Sequence, residues 1–313
     1  MSTDRFCVRF ATGQALMEQF EQRQDGLLVR APAKVNLSLL VAGRRDDGFH
    51  EIETIMAKVD LFDELLIRPG QRGRIELDCA GPYAVACGRD NLVYRACELV
   101  LEKAGVPAGV SLTLTKKVPG GAGLGSASSD AAAALLGLNR FLELGLGEAE
   151  LHELACRLGS DVPFFLGGPL AICTGRGEKI EKLRGDFRFR ALLLLPDVSV
   201  CTAEVYANYR HNRHLYRRLK GQIKRYLQEN RIDLIVQICA NMLEASCFEL
   251  HRELAELKLR VEALGIRPVC LSGSGSALFW AACDNDKRRI LNNKLKVDDT
   301  IGCKNAIVSI NRW

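Results

Sequence analysis

Two rhythms of apolar and polar positions divide this chain. Val35, Leu37, Leu39, Leu40 and Val41 make an apolar run that reads as a strand, and Val110-Ser-Leu-Thr-Leu-Thr115 reads as another. The helical rhythm is clearest at Leu250, Leu254, Leu257, Val261 and Leu264, spaced four-three-four-three and closed by Gly265. Further helices are predicted over 91–104, 129–144 and 148–158, with a short apolar segment over Val162–Leu166. Leu192–Leu195 reads as a buried strand ended by Pro196, and Val269–Leu271 as a strand entering Ser272-Gly-Ser-Gly275. Strand and helix signals alternate from Leu27 to about Gly177, which predicts an α+β protein.

At 313 residues the chain exceeds the usual size of one core, and 48% apolar content can fill two. The expected organisation is an extension over 1–26, a first domain over 27–180 and a second over 181–313. The extension is expected to be a short helix or a mobile arm. Gly175 to Asp186, with three glycines and many charges, is a candidate connection. No apolar run reaches the roughly 20 residues that span a bilayer. Asp4, Arg5, Arg9, Glu18, Glu21 and Arg23 interrupt the start of the chain, so no signal-peptide core is read there.

The twelve cysteines form no C-x-x-C pair, which leaves zinc and thioredoxin-like readings unsupported. Cys97, Cys156, Cys239 and Cys270 sit in apolar stretches, as small buried hydrophobes do, and free thiols in a cytoplasmic protein are expected. The net charge is +5. Much of the local excess lies in Arg210–Arg225, where tyrosines 206, 209, 216 and 226 interleave with the bases. A nucleic-acid site could look like this, but a solvated helical face is the commoner explanation. A third reading is a flank that concentrates an anionic substrate. Partners are therefore expected to be small molecules rather than membrane or nucleic acid.

The chemistry concentrates in Lys117-Val-Pro-Gly-Gly-Ala-Gly-Leu-Gly-Ser-Ala-Ser-Ser-Asp130, which runs straight into an alanine-rich helix. Glycine lets a backbone turn sharply and approach a ligand with no Cβ in the way. The first amides of a helix have no intrahelical partner and carry the positive end of its dipole. Such a loop is an anion site, and phosphate is the usual anion. The plainer reading is a flexible loop capped by Ser128 or Ser129. It is not a Walker A loop, because Lys116 and Lys117 precede the glycines. Ser126 stands where the last glycine of a dinucleotide fingerprint would fall.

Pro119, Gly121, Gly123, Leu124, Gly125, Ser128 and Ser129 make this loop resemble the nucleotide loop of the GHMP kinases, a superfamily of small-molecule kinases. Three other blocks narrow the resemblance. Ala31-Pro-Ala-Lys-Val-Asn-Leu37 with Gly43 to His50, Leu158-Gly-Ser-Asp-Val-Pro-Phe-Phe165, and Leu271-Ser-Gly-Ser-Gly-Ser276 are similar to blocks of the 4-diphosphocytidyl-2-C-methyl-D-erythritol kinase family, in that family's order. The resemblance implies a two-domain α+β fold: a ribosomal protein S5 domain 2-like first domain and a ferredoxin-like second domain. It also implies ATP and Mg²⁺ as cofactors and transfer of the γ-phosphate to an acceptor hydroxyl.

By the same resemblance Lys34 and Asp161 are the catalytic residues. Their plainer readings are a strand-edge lysine that snorkels to solvent and an N-cap for Val162–Leu166. The ATP site would comprise Pro119, Gly120, Gly121, Ala122, Gly123, Leu124, Gly125, Ser126, Ala127, Ser128, Ser129 and Asp130. Asn91, most simply a helix cap, would also read the adenine. Asn36, Phe49 and His50 would belong to the acceptor site, where an aromatic face beside hydrogen-bonding groups suits a cytosine ring. The family usually has tyrosine at the position of Phe49, so stacking survives and the phenol's hydrogen bond is lost. The plainer reading of His50 is an exposed turn histidine. The sequence does not say which residues hold the metal; Ser129 is one candidate. The rival readings are another GHMP kinase with a different small alcohol, and a catalytically silent binding module of the same fold.

Overall fold

In the computed structural model, residues 18–183, 189–283 and 287–310 are described. Most of the expected extension (1–17) lies outside them, as does 184–188 of the expected connection. The first half contains β1 (Phe20–Arg23), β2 (Gly26–Arg44), β3 (His50–Pro69), β4 (Ile75–Ala80), α1 (Leu92–Ala104) and β5 (Val110–Thr115). It continues through α2 (Ser126–Phe141), α3 (Glu148–Leu158), α4 (Val162–Leu166), β6 (Leu170–Gly175) and β7 (Lys179–Lys182). The second half holds β8 (Phe189–Leu195), then α5 (Thr202–Ala207), α6 (Arg213–Gln228), α7 (Ile232–Ile238), α8 (Glu244–Leu250) and α9 (Arg252–Ala263). β9 (Cys270–Leu271), β10 (Leu278–Cys283), α10 (Lys287–Thr300) and β11 (Lys304–Ile310) complete it.

The architecture turns on β2 and β3, which pair antiparallel over most of their length. The other edge of β3 is shared by three neighbours. Its first part pairs with β6 through Ile52–Ala57, and its last part with β5 through Glu64–Pro69. Between them Ile310 of β11 pairs with Val59. The sheet therefore forks at β3 and carries the chain from one half to the other by backbone hydrogen bonds. In the second half the strands run in the order β11-β8-β10-β9, all antiparallel. Helices lie between its first and second strands and between its third and fourth. That is the βαββαβ connectivity of a ferredoxin-like domain.

Two buried clusters follow from this fork. Leu27, Val29, Ala31, Met56, Leu65 and Ile67 of the long strands pack with α1, α2, α3 and α4. Val35, Leu37, Leu39, Ile55 and Val59 of the same strands pack with the second-half strands and with α7 and α9. Gly137 lets α2 sit close on the sheet, since a Cβ there would fall 2.5 Å from the Ile67 side chain and 2.8 Å from Val29.

Several expectations need correction. Phe20–Arg23 is a strand paired with β2, so the end of the expected extension is part of the sheet. Gly175 and Gly177, at φ +76° and +121°, close the turn between β6 and β7, so the first part of the expected connection is a hairpin. α2 begins at Ser126, because Gly125 adopts the left-handed conformation at its N-cap and no side chain caps it. The four-three helix is two helices, with His251 between α8 and α9. Cys239, which closes α7, and Cys270 of β9 are joined by a disulfide with Cα atoms 5.2 Å apart, against the expectation of free thiols. Their separation of 31 residues along the chain conceals this adjacency. The basic segment is α6, whose buried residue is Ile223. It is held to β3 where the Tyr216 hydroxyl and the Lys220 ammonium both donate to Glu53 Oε1, at 2.5 Å each.

Candidate active site

The glycine-rich loop joins β5 to α2, and the carbonyls of Ala122, Gly123 and Leu124 are taken by other elements. The second-half loop donates to it through the Ala277 amide, 3.0 Å from the Ala122 carbonyl. The Gly123 carbonyl accepts from the Ser272 hydroxyl at 3.0 Å and from Lys34 Nζ at 2.9 Å. The Leu124 carbonyl accepts from the Lys34 amide at 2.9 Å. Gly121, Gly123 and Gly125 all have positive φ, so the backbone zigzags through a conformation that side chains resist. At Gly123 the constraint is contact with protein: a Cβ there would lie 2.1 Å from the Ser272 carbonyl oxygen. At Gly120 a Cβ would meet nothing within 4 Å.

The first internal bond of α2 runs from the Ser129 amide to the Gly125 carbonyl, at 2.9 Å. The amides of Ser126, Ala127 and Ser128 therefore have no intrahelical acceptor, and the helix dipole places positive potential beside them. All three residues line a cleft of about 980 Å³, together with Pro119, Gly120, Gly121, Ala122, Gly123 and Gly125. This is the cradle a triphosphate requires.

Lys34 pairs with Lys58 of β3, directly after a shift in the β2–β3 register between Pro32 and Lys34. Its ammonium, 4% exposed, donates to the Asn36 side-chain oxygen at 2.7 Å and lies 3.5 Å from Asp161 Oδ2. Asn36 is held in turn, donating to the Thr54 hydroxyl at 2.8 Å. Asp161 stands at the N-cap of α4, yet its carboxylate makes no capping bond. The cap reading thus holds for its position only, and the side chain stays available beside Lys34. At the other end of α4, Lys58 donates to the carbonyls of Phe165 at 3.1 Å and Gly167 at 2.8 Å. Burial lowers the Lys58 ammonium to about 7.

Phe49, His50, Asn36, Lys34 and Asp161 all line the same cleft. His50 is half-buried, with its ring centroid 5.1 Å from Tyr206 and 5.9 Å from Tyr209. Burial, with Arg44 and His211 nearby, lowers its imidazole from the usual value and so favours the neutral form. Phe49 is exposed, with the Arg176 guanidinium 4.8 Å above its ring. Arg44, Ser160 and Ser274, which lie in the motif blocks but were given no role of their own, also line the cleft, as do Arg176, Thr202, Tyr206, Tyr209 and His211, which sequence reading did not place there. Only the GRG turn after β6 and the tyrosines among the bases could have hinted at them.

Four expected residues lie away from the cleft wall. Leu124 is buried under the loop. Ser129 is buried, and its hydroxyl has no protein partner. Asp130 turns inward to Lys116 Nζ at 2.6 Å, and burial pushes its carboxyl up to about 8. Asn91 caps α1, accepting from the Val93 amide at 2.9 Å.

Among the described residues no group of three or more His, Cys, Asp or Glu could hold a metal by itself. Asp161 is the one carboxylate among the residues lining the cleft. That donor set suits Mg²⁺, which keeps waters and binds through one or two carboxylates plus substrate phosphates.

The fold and loop are those of a known class of small-molecule kinase. Residues 91–169 match the model of the GHMP kinase N-terminal domain. The chain is 40% identical over 270 residues to 4-diphosphocytidyl-2-C-methyl-D-erythritol kinase of Bacillus cytotoxicus, covering 86% of this chain and 93% of that protein. The enzyme of the same name from Bacillus cereus matches at the same identity and coverage. A crystal structure of 4-(cytidine 5'-diphospho)-2C-methyl-D-erythritol kinase is 36% identical with a TM-score of 0.70, covering 91% of this chain and 99% of that one. A homoserine kinase from Cytophaga hutchinsonii shares the fold, with a TM-score of 0.72 at 21% identity over 93% of this chain and 96% of its own. The chain belongs to the 4-diphosphocytidyl-2-C-methyl-D-erythritol kinase family.

Two outcomes follow from this geometry. Gly123→Val must displace the Ser272 carbonyl and strain the loop, so ATP affinity measured by calorimetry should fall about 10-fold or more. Unchanged affinity in a folded protein would contradict the loop assignment. Lys58 holds fewer protons when folded than when unfolded between pH about 7 and 10.5, so it favours the folded state increasingly as pH rises through that window. Lys58→Met removes this term. The melting temperature of the parent protein relative to Lys58→Met should therefore climb from pH 7 to pH 10, and a flat difference would contradict the burial of a lone ammonium.

Proposed function

We propose that this chain transfers the γ-phosphate of ATP to a hydroxyl of 4-diphosphocytidyl-2-C-methyl-D-erythritol, giving the 2-phosphate, a step of the non-mevalonate route to isoprenoid precursors. The observation that carries this reading is the Lys34–Asp161 pair, 3.5 Å apart, in the cleft that also holds the free amides of α2 and the aromatic groups around His50. The family membership supplies the acceptor's identity.

Each group has a physical task. The amides of Ser126, Ala127 and Ser128 hold phosphate oxygens. Asp161 takes the proton of the acceptor hydroxyl and orients its oxygen for in-line attack. Lys34 holds the Asp161 carboxylate in place and stabilises charge on the transferring phosphoryl group. Phosphoryl transfer asks mainly for positioning and charge stabilisation, so these few groups suffice. Mg²⁺ would be held mainly by the nucleotide's phosphates and water, and would neutralise phosphate charge. Phe49, with Arg176 over its ring, and His50, against Tyr206, offer stacking surfaces for a planar base. Neutral His50 can both donate and accept a hydrogen bond at a base edge.

The test is ADP release with Mg-ATP in the presence of the cytidyl acceptor, mevalonate, homoserine or galactose. Turnover should depend strictly on the cytidyl acceptor; activity only with another alcohol would discard the acceptor reading. Asp161→Asn should lower kcat about 10²- to 10⁴-fold while sparing ATP binding. Near-normal turnover in that variant would remove Asp161 from the role of base.

A further inference from the structure

β5 leaves the sheet where Thr115 pairs with Glu64 of β3. The next residue back along β3 is Asp63, fully buried. Its carboxylate takes over where the ladder stops. Oδ1 accepts from the Lys117 amide at 2.5 Å and the Val118 amide at 2.8 Å, the last two residues before Pro119. Oδ2 accepts from the Ser126 hydroxyl at 2.9 Å, in the first residue of α2. It also accepts from the ammonium of buried Lys116, which bonds the Ser126 hydroxyl and Asp130 as well. Four donors converge on one side chain, and they come from both ends of the Pro119–Gly125 segment.

We infer that Asp63 is a positioning residue for the nucleotide: its carboxylate ties the entry and the exit of the phosphate loop to β3 and so fixes the spacing of the amides that face the cleft. Asp63 does not line the cleft and touches no substrate; it acts through the loop. The segment between its two ties holds three left-handed glycines, at 121, 123 and 125, and cannot set its own shape. Charge-assisted bonds to backbone amides are short and among the stronger hydrogen bonds. A buried carboxylate holding both stems therefore fixes the ends of the loop, while Lys34, Ser272 and Ala277 hold its middle. Lys116 neutralises part of the charge this requires, and Asp130 orients Lys116 from the second turn of α2. The inference rests on the reading of this loop as the ATP site.

The test is steady-state kinetics of the full chain with Asp63→Ala, Asp63→Asn and Ser126→Ala, alongside the parent protein. Losing the clamp should raise KM for ATP about 10- to 100-fold in Asp63→Ala. KM for the cytidyl acceptor should stay within about 2-fold. Asp63→Asn keeps an oxygen for the two amides and should recover part of the loss, and Ser126→Ala should raise KM for ATP as well. If Asp63→Ala does not fold, the other two variants carry the same test. A fall in kcat with both KM values unchanged would mean that Asp63 serves stability alone, and would overturn the inference. Parent protein that binds no Mg-ATP would instead overturn the reading of the loop.

Discussion

One buried ammonium organises this molecule. Lys34 touches the side chain of its own strand at Asn36, the carbonyl of Gly123 in the glycine-rich loop, and the carboxylate of Asp161 on α4. Three segments remote in sequence are held at one point, and that point lies between the phosphate cradle and the acceptor wall. A lysine at this depth is costly unless its charge is met. Two oxygen acceptors and one carboxylate meet it here, and the nucleotide's phosphates would add to them. A group needed for charge stabilisation thereby fixes the relative positions of loop, base and strand.

The sheet makes that convergence possible. β2 and β3 are long enough to serve both cores, and β3 divides one edge among β6, β11 and β5. At the fork the strands part, and the space opened there is filled by side chains instead of backbone ladders. Asp63 catches the chain leaving β5, Lys58 holds the end of α4, and Lys34, just past the register shift in β2, lines the cleft. The second-half loop then closes on the first through Ser272 and Ala277. The two halves are joined at the site itself, so its geometry depends on both.

Much of this was legible in the sequence where the signal is local. Asn91 caps α1 as expected, α3 runs over Glu148–Leu158, and the glycine-rich loop opens a helix. The start of α2 was missed because serines usually cap helices, whereas here Gly125 supplies a left-handed turn that leaves the first amides free. Asp130 and Ser129 were assigned to the nucleotide by their place in the motif, but the helix rotates both inward, toward Lys116 and the core. Arg176, Tyr206 and His211 were not found, because they reach the cleft from a hairpin turn and from the segment around α5. No pattern in the chain marks where those segments fold back. Asp63 sits in Leu61-Phe-Asp-Glu-Leu65, which looks like an ordinary strand edge, and only the departure of β5 from the sheet gives it a task.

The most direct test of the account is a crystal structure of the complex with a non-hydrolysable ATP analogue, Mg²⁺ and the cytidyl acceptor. The account expects the terminal phosphate on the amides of Ser126–Ser128, the cytosine among Phe49, His50 and Tyr206, and the acceptor hydroxyl within hydrogen-bond reach of Asp161, in line with the terminal phosphorus. A nucleotide bound away from the α2 amides, or an acceptor hydroxyl out of reach of Asp161, would contradict it.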